Sequence, residues 1–337
     1  MSMRRGAVRM GLVSVLVSGL AAWAASGAAG SGQGTATPRP PTAMSEEAYG
    51  RLFDELNNWG RWGDDDRLGT INLITDAKRR QAAALVERGI SVSVAHNLST
   101  TEAPDNPRPL EQAMAPSFRS DTLTFNYHGG FTTHIDALCH YLFRDRLYND
   151  RPPTVSSARG CFPGIEQLKS GIVTRGVLLD IPRLRGLPHL VAGTPIFLED
   201  IEAWERQTGI TISAGDAVLI RTGRWARRVA LGPQPVLGNS AGFDVTVAPW
   251  IRARDVAIIG GDVSVEVQTT PPVVANLPGP LHTLMIAGLG MPILDNLDTE
   301  ALAETAVRLN RWEFLFVVAP LPVPGGTGSP VNPIAIF

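Results

Sequence analysis

The chain has 337 residues, 44 % of them hydrophobic and 18 % charged, too apolar for a disordered polymer and long enough for an ample core. Thirty Lys and Arg against 32 Asp and Glu give a net charge of −2, with basic residues bunched only near the N-terminus, which excludes the basic face of a nucleic-acid binder. Two cysteines exclude a disulfide-built scaffold and a four-cysteine zinc ribbon, so any metal must rest on His, Asp and Glu.

Arg4, Arg5 and Arg9 precede an uncharged Leu/Val/Ala-rich run that reaches small residues near position 29, the pattern of an export signal over 1–29. Its dense apolar part, 10–25, is diluted by Ser14, Ser18 and Gly19 and is short for a membrane span. The expectation is an exported protein, periplasmic or extracellular, with no membrane attachment once the signal is removed. That removal takes away three arginines and no acid, moving the charge from −2 to −5. Residues 30–44 are Gly, Ser, Thr, Ala and Pro in the main and read as a flexible leader, so the domain is expected over 45–337.

Ser45 followed by Glu46 and Glu47 reads as an N-cap and acidic first turn, and Tyr49, Leu52, Phe53 and Leu56 recur at helical spacing. A second helix is predicted over 76–88. Strand-like runs follow at 90–94, 122–127, 176–180, 217–221, 256–259, 282–286 and 314–320, with helices at 198–208 and 299–309. The Pro/Gly-rich stretch 231–242 reads as a loop, and no internal repeat is present. A single mixed α/β domain accounts for this alternation.

Three of the six histidines, His128, His134 and His140, fall within thirteen positions, with Asp136 among them. On an extended segment His134 and Asp136 project from one face about 6.6 Å apart along the strand, a separation two side chains can close around one ion. Six residues of straight strand span about 20 Å, so His128 can join them only if the chain folds back, which Gly129-Gly130 permits. His140, four residues past Asp136, needs a turn or the start of a helix. Imidazole and carboxylate in this density point to a divalent metal, and by themselves they specify no reaction.

Thr133-His134-Ile135-Asp136-Ala137-Leu138-Cys139-His140 resembles the signature of the cyclase-type metal-dependent hydrolases, a family that includes bacterial kynurenine formamidase, isatin hydrolase and a trans-dienelactone hydrolase. Supporting stretches are similar to those of the family's longer members: Trp59-Gly60-Arg61-Trp62-Gly63, then 69–73, 176–180, 216–223 and Gly260-Gly261-Asp262. The family's late His, and the Glu about a dozen residues after it, correspond to His282 and Asp295. The resemblance implies a swivelling β/β/α-type domain and a zinc or manganese ion held by His128, His134 and Asp136. It further implies that His282 and Asp295 complete the site or hold a second ion bridged by Asp136, with His140 as proton shuttle. Trp62 is the candidate for lining the substrate pocket.

The implied activity is opening of a cyclic or acyl amide, such as a lactam or formamide, or of a lactone, on a small-molecule substrate, by a homodimer or homotetramer. A metal-dependent isomerase or dehydratase, or a non-catalytic exported binding protein, are the alternatives. Four positions depart from the family pattern: Gly130 stands where most members carry the first ligand His, Thr132 replaces a Gly, Leu138 replaces a frequent Pro, and Asp295 is one methylene shorter than Glu. Ser117, Ser120 and Ser264 sit in no nucleophile elbow. Cys139 reads as a small buried apolar residue, with Cys161 its only possible intrachain partner. Asp262 reads as structural, His96 and His189 as loop residues, and 64–66 as a solvated acidic turn.

Overall fold

The computed structural model describes residues 39–117 and 119–337. The segment 1–29, expected to be an export signal, and most of the expected leader lie outside these residues. Helices are α1 (Glu46–Leu56), α2 (Asp76–Ala83), α3 (Ile181–Leu184), α4 (Leu198–Thr208), α5 (Arg224–Leu231), α6 (Ala248–Ala253), α7 (Pro280–Thr283) and α8 (Glu300–Leu309). Strands are β1 (Ser91–Ser93), β2 (Glu111–Met114), β3 (Asp121–Thr124), β4 (His134–Asp136), β5 (Ile172–Asp180), β6 (Pro195–Ile196), β7 (Ala217–Arg221), β8 (Gly242–Phe243), β9 (Ile258–Gly261), β10 (Ile293–Asp295), β11 (Glu313–Val318), β12 (Gly328–Pro330) and β13 (Ile334–Ile336).

Nine of these strands form one mixed sheet in the order β1-β13-β11-β5-β7-β9-β10-β4-β12. Its centre, β5-β7-β9-β10, is parallel, and both wings are antiparallel. The parallel strands read as unbroken apolar runs because both their faces are covered, and every residue of β7 and β9 is buried. Nearer the edge, β11 alternates half-buried and buried positions, the mark of a strand with one face toward the core. Gly260 is required by this packing: a Cβ there would stand 2.8 Å from Leu297 Cδ1 and 3.0 Å from Leu294 Cβ.

Local signals account for several elements. Ser45 caps α1 by accepting from Ala48 N–H, α4 occupies 198–208 as predicted, and α4 stops at Gly209, which takes the left-handed conformation at φ 71°. Other expectations need correction. The second helix ends at Ala83, short of 88; a turn at 84–85 and irregular chain follow. The 122–127 strand is shortened to β3 and pairs only with β2 in a separate, exposed hairpin. The segment 282–286 is helical: α7 continues into a π-helical stretch, Leu284–Leu289. Pro280 at the first helical positions starts it, and every residue of both segments is buried, so the apolar run has no wet face from which to read a period. Helices α3, α5 and α6 lie outside the expected elements. The folded body also takes in 39–44, assigned above to the leader: Met44 bridges Val274, and Thr42 N–H donates to Asp244 Oδ2 at 2.7 Å.

Candidate metal centre

Strand β4 lies between β10 and β12. Period-two alternation puts His134 and Asp136 on one face and Ile135 on the other, fully buried. Antiparallel register with β10 sets Asp295 opposite His134, and register with β12 sets Gly328 opposite Asp136. A Cβ at Gly328 would stand 3.0 Å from His128 Cε1, so the absence of a side chain there is what lets His128 lie beside Asp136.

The chain folds back over 128–132 as the paired glycines allow. Asn296 fastens this bend, its amide donating to Gly129 O at 2.7 Å and Thr132 O at 3.2 Å, while Thr133 Oγ1 donates to Asn296 O at 2.6 Å. Arg224 donates to Gly130 O from below. His140 returns through a turn closed by its N–H to Ala137 O at 3.0 Å. Cys139, read above as a small buried residue with Cys161 its only possible intrachain partner, is bonded to that partner, 22 residues away, which ties this turn to the following loop.

The result is a cluster around Asp136 Oδ1. His128 Nδ1 lies 3.1 Å from it, His134 Nε2 3.5 Å and His140 Nε2 3.9 Å. On the far side His282 Nε2 lies 3.1 Å from Asp295 Oδ2. Donor atoms of His128, His134 and Asp136 all fall within 4.8 Å of one another, as do those of Asp136, His282 and Asp295, and Asp136 belongs to both sets. His128 Nδ1, Asp136 Oδ1 and Asp295 Oδ1 are buried with no hydrogen-bond partner. Such orphaned atoms are costly unless something positive sits among them.

Tautomers are set by the outer partners. His134 Nδ1–H donates to Thr132 O at 2.9 Å, leaving Nε2 as a lone pair facing Asp136. His128 Nε2 is hydrogen-bonded to Thr327 Oγ1 at 2.9 Å, which turns Nδ1 inward. His282 Nδ1–H donates to the buried Glu266 carboxylate at 2.7 Å, again directing Nε2 to the centre.

The electrostatics agree. Burial by itself would raise the Asp136 carboxyl, but the close imidazoles of His128, His140 and His134 outweigh it and hold the group below the usual carboxylate range. Burial would lower His282, yet Asp295, Tyr141 and Glu266 push it well above the ordinary imidazole value. A buried group with that much negative charge around it takes either a proton or a metal cation. Donors of one tetrahedral ion stand about 3.4 Å apart when each bond is about 2.1 Å, close to the spacings found around Asp136. The donor set therefore fits a divalent metal ion.

His140 stands apart from both donor sets. Its ring stacks on His128 at 3.9 Å between centroids, and burial drives it down to about 4, so it is neutral at physiological pH. The Trp62 ring lies under the Arg61 guanidinium at 4.8 Å, and Trp62 is not among the residues lining the cavity beside His128. Asp262 is structural as expected, accepting from the backbone N–H groups of Thr222, Gly223 and Arg224 and from Thr222 Oγ1. Asp66 is more than a solvated turn, since it accepts from Tyr148 Oη, Gly69 N and Asn72 Nδ2. His96 is likewise engaged, paired to Asp298 at 3.0 Å and stacked on Trp225. One sequence does match the letters of a nucleophile elbow, Gly238-Asn239-Ser240-Ala241-Gly242. Ser240 is buried and its Oγ donates to Glu266 O at 3.4 Å, so it has no exposed nucleophile geometry.

Glu266 escaped the sequence reading because a single Glu in an apolar run carries no spacing signal. It binds His282 on one oxygen and Leu281 N–H on the other, at 2.7 Å each. Glu266→Gln is expected to weaken divalent-metal affinity by about 10- to 100-fold, because the outer carboxylate no longer holds the imidazole in its donor tautomer. Competition against a chromophoric chelator checks this, with circular dichroism to establish that the fold persists.

A family model described as "Putative cyclase" matches residues 75–266, more than half of the chain. Among solved structures, a novel cyclase is 29 % identical with a TM-score of 0.74, covering 85 % of this chain and 99 % of that one. An isatin hydrolase bound to the product analogue thioisatinate is 19 % identical, TM-score 0.49, covering 76 % and 94 %. Isatin hydrolase A from Ralstonia solanacearum is 21 % identical, TM-score 0.49, covering 74 % and 92 %. No curated protein matches the chain.

Proposed function

The chain belongs to the cyclase family, and from that premise we propose that it is a metal-dependent hydrolase opening a small cyclic or acyl amide, or a lactone. The observation that carries this reading is the position of Asp136 in two donor sets at once, with a neutral imidazole, His140, beside them and outside both. A zinc or manganese ion held by His128, His134 and Asp136 would supply Lewis acidity and an acidified water, and His282 with Asp295 offer a second place sharing Asp136. The rest falls to the chain's own groups. His140 accepts a proton at Nε2 and passes it to the leaving nitrogen or oxygen. Thr132 O and Glu266 keep two ligand imidazoles in the tautomer that donates. The walls of the bend at 128–132 orient the substrate carbonyl.

Elemental analysis of the purified protein, together with a panel of formanilides, lactams and lactones, tests the proposal. The expected result is at least one bound zinc or manganese per chain and a product heavier than substrate by one water. A product of unchanged mass would replace hydrolysis by isomerisation, and a metal-free, inactive protein after loading with both ions would end the reading.

A further inference from the structure

The cavity that opens beside His128 holds about 130 Å³. A cavity of about 150 Å³ accommodates a benzene ring, so the space suits one six-membered ring or its equivalent. Its apolar wall is Phe131, Val236 and Leu237, and its polar wall includes Asn106, Asn126 and Arg108. Two lining residues, Asp105 and Arg108, have charged side chains, and they are not equivalent. Asp105 is buried and its carboxylate is consumed by Arg224 at 3.0 Å and Arg228 at 2.7 Å, two cations on one anion. Arg108 is exposed and makes no ion pair among the described residues. The cavity mouth thus presents a positive charge that no carboxylate among the described residues neutralises.

The backbone that carries it is restrained. Arg108 stands between Pro107 and Pro109, which restrict the backbone on either side. The preceding turn is closed by reciprocal hydrogen bonds between Ala103 and Asn106 at 3.1 and 2.8 Å, and the following Leu110 N–H is held by Ser99 O at 2.9 Å. An arginine whose backbone is already restrained loses only side-chain entropy on meeting an anion, and its fork matches a carboxylate.

We propose that Arg108 is a specificity-determining residue that reads a carboxylate on a ring-sized substrate whose scissile carbonyl faces the metal centre. This rests on the hydrolase reading above, and it narrows the substrate class to anionic amides or lactones. The test compares formanilide with its ring-carboxylated analogue in wild type, Arg108→Gln and Arg108→Lys. Wild type is expected to favour the carboxylated compound by about tenfold in kcat/KM, through KM. Arg108→Gln should bring the ratio near one, and Arg108→Lys should restore part of it. A ratio unchanged in Arg108→Gln, or a wild-type preference for neutral formanilide, overturns the proposal. A second measurement separates it from the hydrolase reading: calorimetric binding of benzoate and benzamide to the zinc-loaded protein. Benzoate binding that weakens about tenfold in Arg108→Gln, with neither formanilide turned over, upholds the anion reading while the hydrolase reading fails. Turnover of both formanilides with equal benzoate binding in the two proteins does the reverse.

Discussion

Asp136→Asn should abolish turnover, by at least about a thousandfold, and should lower metal content at both donor sets together. The carboxylate is 1 % exposed and is the one residue common to the two sets. The amide keeps the volume, so β4 and its pairings with β10 and β12 should survive, but it offers a neutral oxygen in place of an anion. A loss of three orders of magnitude corresponds to about 4 kcal/mol of transition-state stabilisation, reasonable for removal of a centre on which the chemistry depends. Elemental analysis and single-substrate kinetics, run with a thermal melt to establish folding, decide it. Retention of full metal content with full activity would show that the cluster around Asp136 is not where the reaction occurs. The contrast with Glu266→Gln is informative, since that change should weaken affinity and be rescued by excess metal, whereas Asp136→Asn should not.

His140→Asn should lower kcat by about 10²- to 10⁴-fold with metal content unchanged, the range usual for loss of a general acid–base group. His140 Nε2 lies 3.9 Å from Asp136 Oδ1, near enough to serve the same reaction and outside both donor sets. The direction of its titration fixes the order of events. Burial holds the imidazole down at about 4, so at neutral pH it begins without a proton and must first accept one before it can deliver one to the leaving group. Asparagine preserves a polar side chain in the space but can carry no proton. Parallel loss of bound metal in His140→Asn would instead make His140 a ligand and leave the proton-transfer role unfilled.

Much of the centre was legible because it is local. His134 and Asp136 share a face by strand periodicity, and the return of His128 follows from chain length and two glycines. The requirement for a turn before His140 is likewise a matter of spacing. These are constraints over a few residues, and covalent geometry enforces them whatever surrounds the segment. The same holds for α1, α4 and α8, whose apolar spacing and termini lie within one or two turns. Where such signals fail, the failures share a cause. The segment 282–286 is apolar on every side, so strand and helix bury it equally well on paper, and the choice falls to Pro280 and to the space left beneath α1.

What the amino-acid order alone determined is the cation-binding character of 128–140 and the alternation of elements that makes an α/β domain. Only the tertiary structure decided that Asp295 stands opposite His134, that Glu266 backs His282, that Cys139 is bonded to Cys161, and that Arg108 faces the cavity while Trp62 does not. Each of these joins positions far apart in the chain. Partners of that kind are chosen by sheet register and core packing, which minimise buried polar cost over the whole domain, and no short window of sequence carries that sum.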